Sequence, residues 1–494
     1  MSPRHVRLFL AAFLLSVLVR APQLGRPLSK NHEFATGSAL VVMDVWWERG
    51  FAVCQGSPAV TYPGGCDGAA TGLTYAFMQR DGVRYYISHL PLAYWVPYAV
   101  FRALHLRPSP VPLRSFNLLL HGLTAFLLYR FLRTVAKATH HPYQERLPLI
   151  ASVLYLFMPA PLWYHGNIYM SDMAVQLPWA WSLAAGARAL LAGPVSLRRS
   201  GWFLLAVFVT ALTEWMGVFI ALVFAAYAWM QACRTGDRAW RKVGLALVVA
   251  LAAALGAALI LYASIAGWRA LLTYFTYRWE VRGTFTTADH ASWTDLLGGL
   301  WNSVRGAWLP LLFVGISALF LPRDRRRIWS LGPTWSWSIL PAALHLLVFL
   351  RYDGHEFAAL KLGFFLCTAL RSSYCAGKSA RPCSARPCCS PRWCLAWYTL
   401  VNRPGDGTST GDAYAVHQRR GAYIAGIACP DELICVSGAE VGTQLIFYAH
   451  RNIEPIDAAD VRAGRFPDVP CSIIWFDFAD DGSCTVHRRP RHGR

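Results

Sequence analysis

Charge is scarce in this chain of 494 residues: 15% are Asp, Glu, Lys or Arg, against 55% that are hydrophobic. A soluble protein of this length usually carries about a quarter charged residues, so a soluble globular fold is excluded. Also missing are cysteines two residues apart, the pairing that structural zinc sites use, which argues against bound zinc despite 13 cysteines. No small-x-small cleavage pattern follows the apolar run Leu8–Val19, where Arg20-Ala-Pro-Gln-Leu stands instead. That run, preceded by Arg4 and Arg7, therefore reads as a retained first span and not as a cleaved leader. Internal repeats with broken helices in matched halves, common in transporters, are absent too. The formal charge of +20 comes without any DNA- or RNA-binding motif, and its arginines sit in short loops and at the C-terminus. Nucleic acid is not an expected partner.

What the chain has is apolar length, with a mean hydropathy of +0.32. Spans are expected at Val6–Pro22, Leu113–Leu132, Leu147–Trp163, Met173–Ala192, Trp202–Thr213, Met216–Ala232, Val243–Ala266, Gly306–Leu321, Trp335–Leu350 and Phe357–Leu370. The loops between them alternate in sign. One set carries Arg130, Arg133, Lys137, Arg146, Arg198, Arg199, Arg234, Arg238, Arg241, Lys242, Arg323, Arg325, Arg326 and Arg327. The other carries Glu33, Asp44, Glu48, Asp172, Glu214, Glu280, Asp289, Asp353 and Glu356. By the positive-inside rule the basic set and the N-terminus are cytoplasmic. The expected fold class is an all-α polytopic membrane protein of about ten to eleven transmembrane helices, with interfacial helices in the first exterior loop and a small C-terminal α/β domain. The expected units are 1–370 (transmembrane), 371–401 and 402–494 (soluble).

The first exterior loop, reaching to about Pro112, is too amphipathic to cross a bilayer and too rich in Trp and Tyr to be a free loop. Interfacial helices are expected at Thr36–Glu48 and Leu90–Leu104. Between them Cys54 and Cys66 either close a disulfide in an oxidising exterior or remain two free thiols. Residues 371–401 break the pattern: Cys375, Cys383, Cys388, Cys389 and Cys394 crowd among Arg, Pro and Ser with no helical period. This stretch reads as translated out of frame in place of an eleventh span, which resequencing of the coding region would settle. Beyond about Thr410, β-like runs are expected at Ala422–Ala428, Leu433–Val436, Gln444–Tyr448 and Ser472–Phe478.

Chemistry is confined to a few exterior positions. Glu33, in Lys30-Asn31-His32-Glu33-Phe34, leaves the first span at the membrane surface. Asp172 closes a short turn between spans, where capping a helix with Ser171 is the plain alternative. Glu214 lies between two apolar runs, where charge is costly and has a partner or a task. Arg278 and Arg282 stand in Tyr274-Phe-Thr-Tyr-Arg-Trp-Glu-Val-Arg282. A carboxylate that takes a proton from a hydroxyl, beside arginines that hold a departing phosphate, suits sugar transfer from a lipid phosphate.

Residues 1–370 resemble the GT-C superfamily of polyprenyl-phosphate-sugar-dependent glycosyltransferases, such as the dolichyl-phosphate-mannose protein mannosyltransferases and the lipid A aminoarabinose transferase. The resemblance is carried by Arg20-Ala-Pro, Asn31-His-Glu-Phe34, Arg84-Tyr-Tyr-Ile-Ser-His-Leu-Pro-Leu-Ala-Tyr-Trp95 and Arg114-Ser-Phe-Asn-Leu-Leu-Leu-His121. It implies an inverting transferase with Glu33 as the base and Asp172 as the second exterior acid. Arg278 and Arg282 would grip the lipid phosphate, with His32, Tyr86, His89 and Glu214 lining the pocket. The chain departs from the family in having His89-Leu-Pro-Leu92 for Pro-Pro-Leu, and His32-Glu33 for an acidic pair. The latter puts metal coordination in doubt: no metal ligand is assigned, no cofactor is required, and a divalent cation (Mg or Mn) is left open. The implied partners are a polyprenyl-phosphate-linked sugar donor, a lipid, polysaccharide or protein acceptor, and membrane lipids. The implied location is a bacterial inner membrane with the site on its periplasmic face. The competing readings are a transporter or lipid flippase, and an inactive polymer-assembly partner.

Overall fold

The computed structural model describes residues 2–29, 33–64, 78–140, 144–283, 332–349, 360–367, 412–463, 471–479 and 483–490, with isolated positions from 294 to 301. His32, Cys66, the span expected at Gly306–Leu321 and the segment 371–401 lie outside the described residues.

Helix α1 (Pro3–Leu24) begins where Ser2 accepts the His5 amide at 3.4 Å, with proline in the first turn. Its length corresponds to about 33 Å, the thickness of a bilayer core. Leu14 and Leu18 are 59% and 67% exposed, which suits a helix facing lipid. Beyond the exterior loop, α4 (Pro110–Ala138) returns through the bundle and packs on α5 (Arg146–Phe157), α6 (Pro159–Asn167) and α8 (Gln176–Leu190). Helices α9 (Gly201–Thr213) and α10 (Met216–Thr235) cross so closely that a Cβ on Gly217 would collide with the Ala211 backbone. Trp179, Phe203, Phe224 and Trp337 fill the core between them.

Among the described residues four helices are long and apolar enough to cross a membrane, or five if α5 and α6, bent by 53°, are one span. Several expected spans are thus shorter or broken. Pro159 and Pro161 bend Leu147–Trp163, and Met173–Ala192 splits into the single turn α7 (Ser171–Ala174) and α8.

The longest element, α11 (Arg238–Arg282), opens on the Asp237 cap and is broken at Ala266–Gly267. Gly267 has φ +83° and ψ 166°, a region open essentially to glycine alone. This break re-aims the last turns of α11, which carry Arg278 and Arg282. Gly267→Ala is expected to cost about 1–3 kcal/mol, read as a lower Tm of the purified protein.

In the exterior loop, α2 (Phe34–Arg49) and α3 (Leu92–Ala103) fall where interfacial helices were expected. Helix α2, however, does not lie with one face open: Leu40, Val42, Met43, Val45 and Trp46 are all fully buried. The C-terminal helix Thr443–Ala449 covers it, so closely that a Cβ on Gly37 would sit 2.8 Å from Thr443 Oγ1. A hairpin, β1 (Met78–Arg80) and β2 (Val83–Tyr85), turns at Asp81-Gly82 with both φ positive. Cys54 is a buried free thiol.

The C-terminal unit is a four-stranded sheet in the order β4-β3-β5-β6. Strand β3 (Leu433–Ser437) runs parallel to β4 (Ile453–Pro455) and β5 (Ile473–Phe478), and β6 (Cys484–Arg489) is antiparallel to β5. Two expected strands are helices instead. Residues 422–427 of the expected run Ala422–Ala428 belong to Asp412–Ile427, where buried His417, Gly421 and Ile424 recur at helical spacing. Gln444–Tyr448 belongs to Thr443–Ala449, which crosses between the parallel strands β3 and β4.

Candidate active site

Glu33 stands at the start of α2 and is fully buried. Its Oε1 accepts from Arg114 Nη2 at 2.7 Å; its Oε2 accepts from Arg26 Nη1, Ser29 N and Ser29 Oγ, each at 2.6 Å. Arg114, also buried, projects from the first turn of α4 and donates to the Leu24 carbonyl at 2.9 Å, so it ties the end of α1 to Glu33. Arg26 reaches on to Asn167 Oδ1 at the end of α6, at 3.0 Å. The C-terminal unit closes this loop from outside: Gln444 Nε2 donates to the Ser29 carbonyl at 3.1 Å, and the Leu28 amide donates to Tyr448 Oη at 2.9 Å.

A separate cavity of about 390 Å³, within the range of small-ligand sites, is lined by other elements. Arg278 and Arg282 project into it from the end of α11; Ser88 and His89 come from the loop before α3; Glu214 and Trp215 come from the break between α9 and α10; His345 comes from the helix Gly332–Val348. The framework is fixed by polar contacts. Ser88 Oγ meets Tyr274 Oη at 2.6 Å, Trp215 Nε1 donates to the Ser88 carbonyl at 3.0 Å, and Tyr262 Oη donates to the His89 carbonyl at 2.6 Å. His89 Nδ1 lies 2.9 Å from Ser171 Oγ. Burial, and then the charges of Arg282 and Arg278, push His89 down to about 3, so it is a neutral imidazole at working pH. The Arg278 guanidinium lies over the rings of Tyr86 and Tyr274, 5.9 and 6.0 Å from their centroids. Its Nε and Nη2 are buried and have no hydrogen-bond partner among the described residues.

Behind the cavity is a buried ionic cluster. Lys361 Nζ lies 3.3 Å from Asp172 Oδ1 and 3.2 Å from His345 Nδ1. The titratable neighbours acting on Glu214 are Asp172, His345 and Lys361.

Of the residues expected from sequence, the structure brings Glu214, His89, Arg278 and Arg282 into one cavity, places Tyr86 under Arg278, and joins Asp172 to it through Lys361 and His345. Glu33 is not among the cavity's lining residues; its acceptor positions are filled by two arginines and Ser29. Lys361 and His345 are not among the residues expected from sequence, although a lone lysine inside the apolar run Phe357–Leu370 is the kind of intramembrane charge that marks a site.

On the other side of α2, Asp44, Glu48 and His450 place their ligand atoms within 4.8 Å of one another. They do not fit a divalent cation, because Arg107 already bridges Asp44 (2.9 Å) and Glu48 (2.5 Å), and His450 Nδ1 is 2.8 Å from Asp44. Burial pushes the Asp44 carboxyl up, but the hydrogen bonds of His450 and Arg107 outweigh it and hold the group below the ordinary range.

The succession of exterior α2 and α3 between α1 and the bundle, with a sheet-bearing unit closing over them, is a fold shared with solved structures. The chain is similar over 96% of its length to ArnT from Cupriavidus metallidurans in the apo state, at 15% identity and a TM-score of 0.56, covering 93% of that chain. ArnT from the same organism bound to undecaprenyl phosphate gives the same TM-score over 97% of this chain and 94% of that one. The apo oligosaccharyltransferase of Archaeoglobus fulgidus matches at 12% identity and a TM-score of 0.50, over 92% of this chain and 64% of that chain. No protein-family model and no curated protein matches the sequence.

Proposed function

We propose that the protein is a membrane glycosyltransferase that moves a sugar, with inversion, from a polyprenyl-phosphate donor to an acceptor hydroxyl. One observation carries this reading: Arg278 holds two buried donors without a hydrogen-bond partner among the described residues, in a cavity it shares with Arg282. Buried donors without a partner are costly, and a bidentate phosphate is the ligand that the Nε–Nη2 edge of a guanidinium suits. The aromatic walls, Trp215, Phe275 and Trp279, suit a sugar and the start of a lipid chain. A protein of the same fold, ArnT from Cupriavidus metallidurans, binds undecaprenyl phosphate, which supports a lipid-phosphate donor here.

In the reaction the acceptor oxygen attacks the anomeric carbon as a carboxylate takes its proton, and the carbon–oxygen bond to phosphate breaks. Arg278 and Arg282 stabilise the charge that arrives on the departing lipid phosphate. The carboxylates at hand are Glu33, Asp172 and Glu214. On this reading the chain crosses a bacterial inner membrane about ten to eleven times, with the cavity on the periplasmic side. The acceptor is a hydroxyl of lipid, polysaccharide or protein.

The test is undecaprenyl phosphate binding to the purified protein in nanodiscs. Replacing both Arg278 and Arg282 by Ala should weaken binding at least about 100-fold, the loss of two charge-assisted hydrogen-bond donors. Unchanged affinity would remove the donor assignment.

A further inference from the structure

We infer that Glu214 takes the acceptor's proton, and that Asp172, Lys361 and His345 form a positioning unit behind it; this rests on the proposed glycosyl transfer. Glu214 is a carboxylate that lines the cavity holding Arg278 and Arg282, whereas Glu33 is outside that lining. Geometry decides between the two. Around Glu33 the acceptor positions are already taken by Arg26, Arg114 and the Ser29 amide and hydroxyl. Glu214 stands at the cavity wall instead, and the charged neighbours acting on it include Asp172, His345 and Lys361. Lys361 Nζ lies 3.3 Å from Asp172 Oδ1 and 3.2 Å from His345 Nδ1, so the three form one linked unit next to the carboxylate.

The acceptor O–H proton passes to a Glu214 oxygen, and the acceptor oxygen forms the new bond to the anomeric carbon. The old bond's electron pair leaves on the lipid phosphate, whose charge Arg278 and Arg282 meet. Asp172 and Lys361 act through Glu214 and touch no reacting atom. Glu33 is a latch that holds the α1–α2 loop between Arg26 and Arg114.

The experiment uses the full chain in nanodiscs, with radiolabelled undecaprenyl-phosphate mannose, glucose and aminoarabinose as donors and a membrane extract as acceptor source. Glu214→Gln should bind undecaprenyl phosphate within about twofold of wild type yet lose turnover by about 10²–10⁴-fold, the usual contribution of a positioned base. Asp172→Asn should remain active, with the acid limb of its turnover profile moved to lower pH, because a negative neighbour of the base is gone; a merely structural role would lower the rate without moving the limb. The groups facing Glu214 that bear on this profile are Asp172, Lys361, His345, His89, Arg278 and Arg282. Wild-type turnover in Glu214→Gln, or an unmoved limb in Asp172→Asn, overturns the inference while leaving the donor site standing. A wild type inert toward all three donors overturns both.

Discussion

Replacing Glu33 by Ala is expected to remove about 3–5 kcal/mol of stability, the cost of breaking a buried ion pair from one side. Arg114 is fully buried beside it, and Arg26 is mostly so. Without the carboxylate, two guanidiniums and the Ser29 amide and hydroxyl would face one another with no acceptor between them. The loss is a large share of a typical stability of about 5–15 kcal/mol, and it should appear as a large drop in Tm and in the yield of monodisperse protein. Glu33→Gln should fall between Ala and wild type. Its amide oxygen can still accept one of the bonds, but its NH₂ would point a donor at a donor. Because the same carboxylate sets the end of α1 against the start of α4, the damage would spread through the bundle. If Glu33→Ala melts within a few degrees of wild type, the latch described for it is wrong.

That role could not be read from the sequence, for a definite reason. Glu33 is followed by apolar residues and preceded by Asn31 and His32, so it resembles an exposed loop acid. Its partners Arg26 and Arg114 come from the α1–α2 loop and from a helix 81 residues further on. Long-range ionic pairing has no local period to betray it. Elements with a period were legible: α1, α2 and α3 fall close to their expected places, and the break at Gly267 closes the span expected to end at Ala266. The GT-C resemblance agrees with the fold of the matched structures. The β1–β2 hairpin is absent from the sequence expectations although Asp81-Gly82 is a strong turn signal, because its three-residue strands are too short to show an alternating pattern. The strand–helix confusion at 422–428 and 444–448 has a common cause. Both are short apolar stretches for which periodicity does not separate the two states. In the folded chain, packing on the sheet made both of them helices.

The physics that fixes Glu33 gives the Asp172–Lys361 pair a sharper test, because here both partners can be neutralised without a change of shape. Lys361→Met keeps the volume and the apolar stem but leaves Asp172 as a buried carboxylate without its 3.3 Å counter-ion; the expected loss is about 3–5 kcal/mol. Asp172→Asn alone should cost less, since the lysine retains His345 at 3.2 Å as an acceptor. Combining the two removes both charges at once. Apolar or neutral replacement of a complete buried pair is often close to neutral, so the double variant should recover most of the stability lost by Lys361→Met, with an interaction energy of about 2 kcal/mol or more in the cycle. Additive losses would mean that the two side chains stabilise the protein through separate contacts. Recovery of stability with the acid limb of turnover still displaced would separate the pair's two tasks: the fold needs the charges to match, whereas the reaction uses them to set the pH range over which Glu214 works.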